Sequence, residues 1–400
     1  MKIAPEIQTK FVQNDEPVRG NGDCRRFEEE GVVHMSYENP NIEEELQGRG
    51  MYKQAGTWYG VPYTPIERLT PPISPADNLL AYYFGGRYEW IPDMSSDQID
   101  LTPFCNRDAE AQGYDGGYDA FGVKWVPSSS TKELPAFVEE GLVTLEDVAD
   151  WQDLEWPDVD SWEWSRDADI YNETYEDDDR LRRGIIYSGY FERLISLMGF
   201  EGAAVSLLED PESVSDLFKK LTELNIQILD HYMDDFGCRS IMMHDDWSAK
   251  RSPFFSLEVA SELLAPNLKD LVDYAHSRGA AFTLHSCGNG VALVPAMKMA
   301  GPEAWQMQED CIDMDAAYEA CGDDIIIEQY PVVPDGLQGD ELEAYIRGMM
   351  ERFCVKHKGF IEFADYDPER WPTTRRLVYK IGREMVLESR KAEEKDAVVA

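Results

Sequence analysis

Leu284-His285-Ser286-Cys287-Gly288-Asn289 places an imidazole and a thiol two residues apart at the end of an apolar run. In an extended chain residues i and i+2 share a face, so His285 and Cys287 project the same way. Imidazole nitrogen and thiolate sulfur are donors that Zn²⁺ takes, and thiolate also suits other soft metals. The same pair reads equally as a buried small thiol beside a hydrogen-bonded core histidine, and two residues alone leave both readings open. Other apolar runs also end in polar residues: Asp93, Ser188, His244-Asp245-Asp246, Gln308-Glu309, Glu328 and Asp365-Tyr366. Carboxylates, imidazoles and phenols gathered in one place are the groups that hold metals and move protons. Each of them taken singly is ordinary loop polarity.

The elements that would gather them are regular from residue 184 onward. Strands are predicted at 184–189, 239–246, 281–287, 304–308, 324–328 and 359–364. Helices are predicted at 191–198, 211–235, 257–278, 291–300, 315–320, 340–357 and 374–394. The helix at 211–235 carries Val214, Leu217, Phe218, Leu221, Leu224 and Ile228 at helical spacing. Upstream, Ser74-Pro75-Ala76-Asp77 is a helix start, with an N-cap serine and proline in the first turn. Trp90-Ile91-Pro92-Asp93 is expected to end a first strand, 118–126 to form a strand or hairpin arm, and the acidic, Trp-rich block 143–179 to mix short helices with loops.

Alternating strands and helices imply a parallel sheet. With about eight strands and no dinucleotide fingerprint, a closed (β/α)₈ TIM barrel of the α/β class is expected. Active sites of such barrels sit where the strands end, which is where the polar residues fall. Residues 1–73 are expected to form an N-terminal extension that packs on the barrel or on a second subunit of a homodimer, docked by Tyr52, Trp58, Tyr59 and Tyr63. Residues 74–400 are expected to form the barrel.

The 400 residues are 43% hydrophobic, ample for a core, and carry a net charge of −41. That charge argues against nucleic acid and anionic membrane as partners. No run is apolar enough for a membrane span, and the N-terminus has no apolar stretch of a secretory signal. Seven irregularly spaced cysteines do not resemble a disulfide framework, so a reducing cytoplasm is expected.

Several stretches together resemble the uroporphyrinogen decarboxylase (URO-D) superfamily. They are Phe191-Glu192-Arg193-Leu194-Ile195-Ser196-Leu197-Met198-Gly199-Phe200-Glu201 with Leu208-Glu209-Asp210-Pro211-Glu212, Asp245-Asp246-Trp247, and the run from Leu271 through Tyr274-Ala275-His276-Ser277-Arg278-Gly279 into Leu284–Asn289. The start at Ser74 and the segment Trp156-Pro157-Asp158-Val159-Asp160 also fit, so the resemblance spans about residues 74–390. One branch of the superfamily decarboxylates uroporphyrinogen without a cofactor; its Arg-Gln-Ala-Gly-Arg motif is not found here. The other branch consists of zinc-dependent methyltransferases that work with corrinoid proteins. Those enzymes carry His-x-Cys at this strand, matching His285 and Cys287.

The resemblance implies a zinc enzyme that moves a methyl group between a small methoxylated substrate and a corrinoid protein. Zn²⁺ and a corrinoid carried by the partner are the implied cofactors. The branch usually adds a cysteine beyond the last strand, whereas this chain reads Glu362-Phe363-Ala364-Asp365-Tyr366-Asp367 there. Asp365 is therefore expected as the third metal ligand, with Asp245, Asp246, Glu309, Glu328 and Cys311 as further candidates. Cys354, on the preceding helix, is expected to be structural. Asp246 or Tyr366, with Asp245, is expected to protonate the leaving oxygen. Asp93, Tyr187, His244, Trp247, Gln308, Glu309 and Glu328 are expected to line the substrate pocket, with Phe121 and Trp125 as further ring contacts. Three alternatives stay open: transfer from a methylcorrinoid to a thiol such as coenzyme M, a cofactor-free decarboxylase, and a non-catalytic ligand-binding barrel.

Overall fold

The structure is a computed structural model, and it describes residues 40–53, 57–58, 61–62, 65–128 and 135–399. Residues 41–400 form one compact unit. Seven parallel strands make a curled, TIM-barrel-like sheet: β1 (Gln98–Leu101), β2 (Leu181–Ile186), β3 (Ser240–His244), β4 (Ala281–Ser286), β5 (Ala304–Met307), β6 (Ile326–Gln329) and β7 (Gly359–Ile361). Each pairs with its neighbours in sequence order, so the sheet runs β1 to β7 without a crossover out of turn.

The helices that matter for the site are α1 (Pro75–Tyr83), α2 (Tyr190–Glu209), α3 (Pro211–Asp234), α4 (Ala265–Ser277) and α5 (Trp371–Val399). Helix α1 starts as its sequence requires, with the Ser74 hydroxyl accepting from the Asp77 amide. Alternation along the strands separates two environments. Phe282, Leu284, Trp305 and Ile327 point outward and pack under the helices in the main core. Leu181, Ala281, Ala304, Ile326 and Phe360 point inward and meet Leu79, Leu80, Tyr82 and Tyr83 of α1, which plugs one end of the barrel.

Above that apolar floor the interior is polar. The Glu328 carboxylate accepts from Tyr83 Oη (2.8 Å), Thr283 Oγ1 (2.9 Å), Gln306 Nε2 (3.1 Å) and Arg183 Nη1 (3.1 Å). Arg183 also clamps Asp100 with two bonds of 2.7 and 3.0 Å. Buried charges persist only when paired and hydrogen-bonded in this way.

The expected eighth strand is missing among the described residues, and β1 and β7 share no ladder. Trp90–Asp93 is not a strand. Pro92 has no N–H to give a ladder, and the Ile91 amide goes instead to the Gly382 carbonyl of α5 (3.4 Å). The first strand is Gln98–Leu101, one short helix later. The seam between β7 and β1 is closed by side chains. Arg375 of α5 grips both oxygens of Asp93 (2.6 and 2.7 Å) and donates to the Phe363 carbonyl (2.5 Å), and Ser95 donates to Glu362.

Between β1 and β2 lies an excursion with a small antiparallel sheet (Gly117–Tyr118, Lys124–Val126 and Phe137–Val138) and short helices, as the sequence suggests for this block. Residues 41–73, where described, pack on α5. Glu45 accepts from Tyr379 (2.8 Å) and Arg383 (3.1 Å), Glu67 pairs with Arg376 (2.7 Å), and buried Tyr52 donates to Asp179 (2.8 Å). Tyr59, Tyr63 and the side chain of Trp58 lie outside the described residues. Among the described residues no helix is long and apolar enough to cross a membrane.

Candidate metal centre

Strands β3 and β4 are paired so that His244 lies opposite His285. His244 closes β3 and His285 is the penultimate residue of β4, and their rings stack 4.2 Å apart at 13°. The i, i+2 spacing holds as expected, with His285 Nε2 lying 3.3 Å from Cys287 Sγ. Asp246 joins them from the end of β3: its Oδ1 is 3.9 Å from His285 Nε2 and accepts the Cys287 amide (2.6 Å). Donor atoms of His244, Asp246 and His285 all lie within 4.8 Å of one another, the one such group among the described residues.

The loop after Cys287 is locked. Gly288 has φ +73°, and a side chain there would collide with the Ser248 carbonyl. Its amide donates to Gln308 Oε1 (3.3 Å) on the next strand end. A glycine is required where the backbone turns left-handed against another chain segment.

Each histidine is oriented by an acceptor behind it. Glu192 Oε2 lies 2.8 Å from His244 Nδ1, and Gln306 Oε1 lies 2.7 Å from His285 Nδ1. In a neutral ring a proton held at Nδ1 leaves Nε2 with its lone pair, the form that binds a metal, so His244 must give up its second proton to a bound cation. Gln306 is fixed in turn by donating to Glu328 (3.1 Å) and Tyr330 (2.6 Å). Glu192 is fixed by Asp245, whose Oδ1 accepts the Glu192 amide (2.9 Å) and whose Oδ2 accepts from the Tyr190 amide (3.1 Å) and Trp247 Nε1 (2.9 Å). Asp245 therefore holds the first turn of α2 against the end of β3. Gly189 permits that approach, since a side chain there would strike Asp245.

Electrostatics divides the two rings. Burial opposes a charge on His244, but Glu192, Asp246 and Asp245 outweigh it and lift the ring to about 9. Burial and the neighbouring His244 push His285 down to about 3, so it is neutral. Burial, then Asp246 and Glu192, push the Cys287 thiol above its ordinary range. Three acidic side chains around two imidazoles and a thiol make a pocket suited to a cation.

The donor set fits zinc. Tetrahedral Zn²⁺ with nitrogen, oxygen and sulfur ligands at about 2.0–2.3 Å spaces those ligands roughly 3.3–3.8 Å apart. Of the separations around His285 Nε2, 3.3 Å to Cys287 Sγ falls within that spacing and 3.9 Å to Asp246 Oδ1 lies just beyond it.

Several expected site residues stand elsewhere. Asp365 is held by Arg370 (2.9 Å) and accepts from Thr374 (2.5 Å) and the Asp367 amide (3.1 Å), so it is a buried structural anion and not the third ligand. Tyr366 is 81% exposed and lies outside the group as a proton donor. Asp245 is buried and saturated, which makes it a positioning residue and not an acid at the pocket. Trp247 is fully buried beside it, donating to Asp245, and cannot contact a ligand. Asp93 belongs to the β1–β7 seam and Glu328 to the barrel interior, each with its oxygens already taken. Ser188 accepts from Gln112 (2.7 Å), and Cys311 stands apart from the group, beside Asp310. Phe121 and Trp125 pack around the buried Arg193–Asp119 pair.

Gln308 and Glu309 sit at the rim, where Gln308 is exposed and Glu309 accepts the Tyr330 amide. Tyr187 shares a hydrogen bond with Thr102 (2.7 Å) beside Ile185 and Met242. Cys354 is buried, in keeping with a structural role. Sequence reasoning missed Glu192 and Gln306. Gln306 was within reach of it, because it points the same way as Gln308 one layer deeper.

Residues 186–361 match the family model described as Uroporphyrinogen decarboxylase (URO-D). This stretch contains β3 to β7 and every residue of the candidate centre. The fold is similar to that of a methyltransferase from Methanosarcina mazei, at 15% identity and a TM-score of 0.50, over 78% of this chain and 99% of that one. More distant matches include a family 2 AP endonuclease from Brucella melitensis (12% identity, TM-score 0.33, 50% of this chain and 77% of that one). A B12-independent methionine synthase from Shewanella sp. W3-18-1 is comparably distant (11% identity, TM-score 0.33, 56% and 67%). No curated protein matches the chain.

Proposed function

We propose that this protein is a zinc-dependent methyltransferase that moves a methyl group between a small methoxylated substrate and a corrinoid protein. The observation that carries the reading is the convergence of His244, Asp246 and His285, with Cys287 Sγ 3.3 Å from His285 Nε2, at the mouth of a URO-D-type barrel. The similarity in fold to the Methanosarcina mazei methyltransferase supports it.

His244, His285, Asp246 and Cys287 would hold the metal. When bound, zinc supplies Lewis acidity that makes an ether oxygen a better leaving group. Glu192 and Gln306 keep the two Nε2 atoms aimed into the pocket. Asp246 also ties the Cys287 amide, which fixes the thiol relative to the imidazoles. A group with two imidazoles and a carboxylate is harder than a thiolate-rich one, which favours activation of oxygen over activation of a thiol acceptor. The mouth must admit a protein-bound corrinoid, so the partner docks over this face.

His285→Ala is expected to lose zinc and to lose methyl transfer from a phenyl methyl ether together. Metal content by mass spectrometry and demethylation in the presence of a corrinoid protein would be measured on the same preparation. Full activity with zinc retained in that variant would overturn the proposal. Activity on coenzyme M or homocysteine but not on the ether would move the reading to transfer onto a thiol.

A further inference from the structure

The excursion between β1 and β2 holds a second concave site that the metal centre does not use. It is a cleft of about 650 Å³, walled by Phe104, Phe121, Trp156 and Trp162. That volume falls within the range of about 300–1,000 Å³ typical of small-molecule sites. None of its walls belongs to the metal group.

The rings are set at angles to one another. Trp156 meets Phe121 edge to face at 5.4 Å and 75°, forming a corner. Trp162 stacks on buried Trp164 at 5.4 Å and 23°, which engages one of its two faces. Phe104 is 54% exposed at the lip. Phe121 is buried, Trp156 and Trp162 are partly buried, and Phe104 is the exposed ring of the four.

Charge at the cleft selects the occupant. Its lining carries the carboxylates of Glu110, Glu155, Asp158 and Glu163 against the guanidiniums of Arg107 and Arg166. Arg166 is already spent on Glu163 (2.6 Å) and Asp167 (3.0 Å). The local balance is therefore negative, in a chain of net charge −41. An anionic ligand would be repelled, and a cation would be drawn in. Aromatic faces attract cations through their quadrupole, and two of these rings do so within the protein itself. Arg193 lies 4.7 Å from the centroid of Phe121, and Lys220 lies 5.9 Å from that of Trp156.

We propose that the cleft walled by Phe104, Phe121, Trp156 and Trp162 binds an organic cation of the quaternary ammonium type. Aromatic walls cover the apolar alkyl groups, and the surrounding carboxylates balance the charge. The proposal stands independently of the methyl transfer proposed above, because it rests on different residues.

Choline and its neutral carbon isostere 3,3-dimethylbutanol have nearly the same shape and differ in charge. Their binding to the full chain can be followed by quenching of tryptophan fluorescence. Ionic strength is held constant and high, to suppress diffuse attraction to the acidic surface. Choline is expected to saturate, with the isostere about tenfold weaker. Trp162→Leu keeps apolar volume and removes the π face, so it should weaken choline about tenfold and leave the isostere unchanged. Because Trp162 supports a buried ring, Glu110→Gln provides a second variant at an exposed position, expected to weaken choline severalfold only. Equal affinity for choline and isostere, absence of saturable choline binding, or unchanged choline affinity in either variant would overturn the proposal.

Discussion

Two parts of the barrel end the same way in sequence and differently in chemistry. At the ends of β3 and β4, donor atoms of His244, Asp246 and His285 converge, with Cys287 Sγ 3.3 Å from His285 Nε2. At the seam between β7 and β1, Asp365 and Asp93 also follow apolar runs, yet each is clamped by an arginine of α5 or of the turn leading into it. The difference lies in where the counter-charge comes from. The seam draws Arg370 and Arg375 from the end of the chain. The centre between β3 and β4 receives Glu192 and Gln306, which orient the imidazoles and leave their outer nitrogens open. A polar residue at a strand end is thus a necessary sign of a site, and an unspent donor atom is the sufficient one.

Breaking the seam should give the largest change in stability. Arg375→Ala leaves Asp93 charged and buried without its partner, a change that costs about 3–5 kcal/mol. Chemical denaturation should report that loss, while the metal content of the folded fraction should match wild type. A variant as stable as wild type would mean that the seam does not close the barrel. Removing the support behind the centre should do the reverse. Glu192→Ala should weaken metal affinity about 10–100-fold, read by competition with a chromophoric chelator, with a smaller loss of stability than at the seam. Unchanged affinity would mean that Glu192 does not orient His244. The smallest effect is expected at Tyr366, which is 81% exposed. Tyr366→Phe should alter stability by less than about 0.5 kcal/mol and leave methyl transfer unchanged; a large fall in kcat would restore it as a proton donor.

The fold was legible because period-2 alternation and helical spacing are local. The strand runs at 281–287 and 304–308 and the helix at 211–235 carry those patterns within a few residues, and the structure has each there with its end trimmed by one residue. The missing eighth strand was a local matter too: Pro92 argues against ladder pairing, and the apolar run around it hid that signal. That His285 and Cys287 share a face was legible from spacing alone, whereas their reading as metal ligands rested on the resemblance. His244 was expected to line the pocket, but its place directly beside His285 depends on the register of β3 against β4. The assignments of Asp365, Asp93 and Glu328 failed for one reason. Residue type announces a carboxylate, but whether it is spent depends on Arg370, Arg375, Arg183 and Tyr83, and for most of these only the tertiary fold brings the partner close.

The Glu328 carboxylate receives donors from four separate elements, among them the plugging helix α1 and, through Gln306, the support of His285. Such a node divides the molecule into a part that must change together and a part free to vary. Loops above the rim can be exchanged without turning the His285 ring, because its orientation is set from beneath. New substrates are therefore reached by altering the rim, whereas a substitution at Glu328 must be answered at several positions at once. The interior thus couples several elements through one carboxylate, whereas the mouth carries side chains without such shared partners.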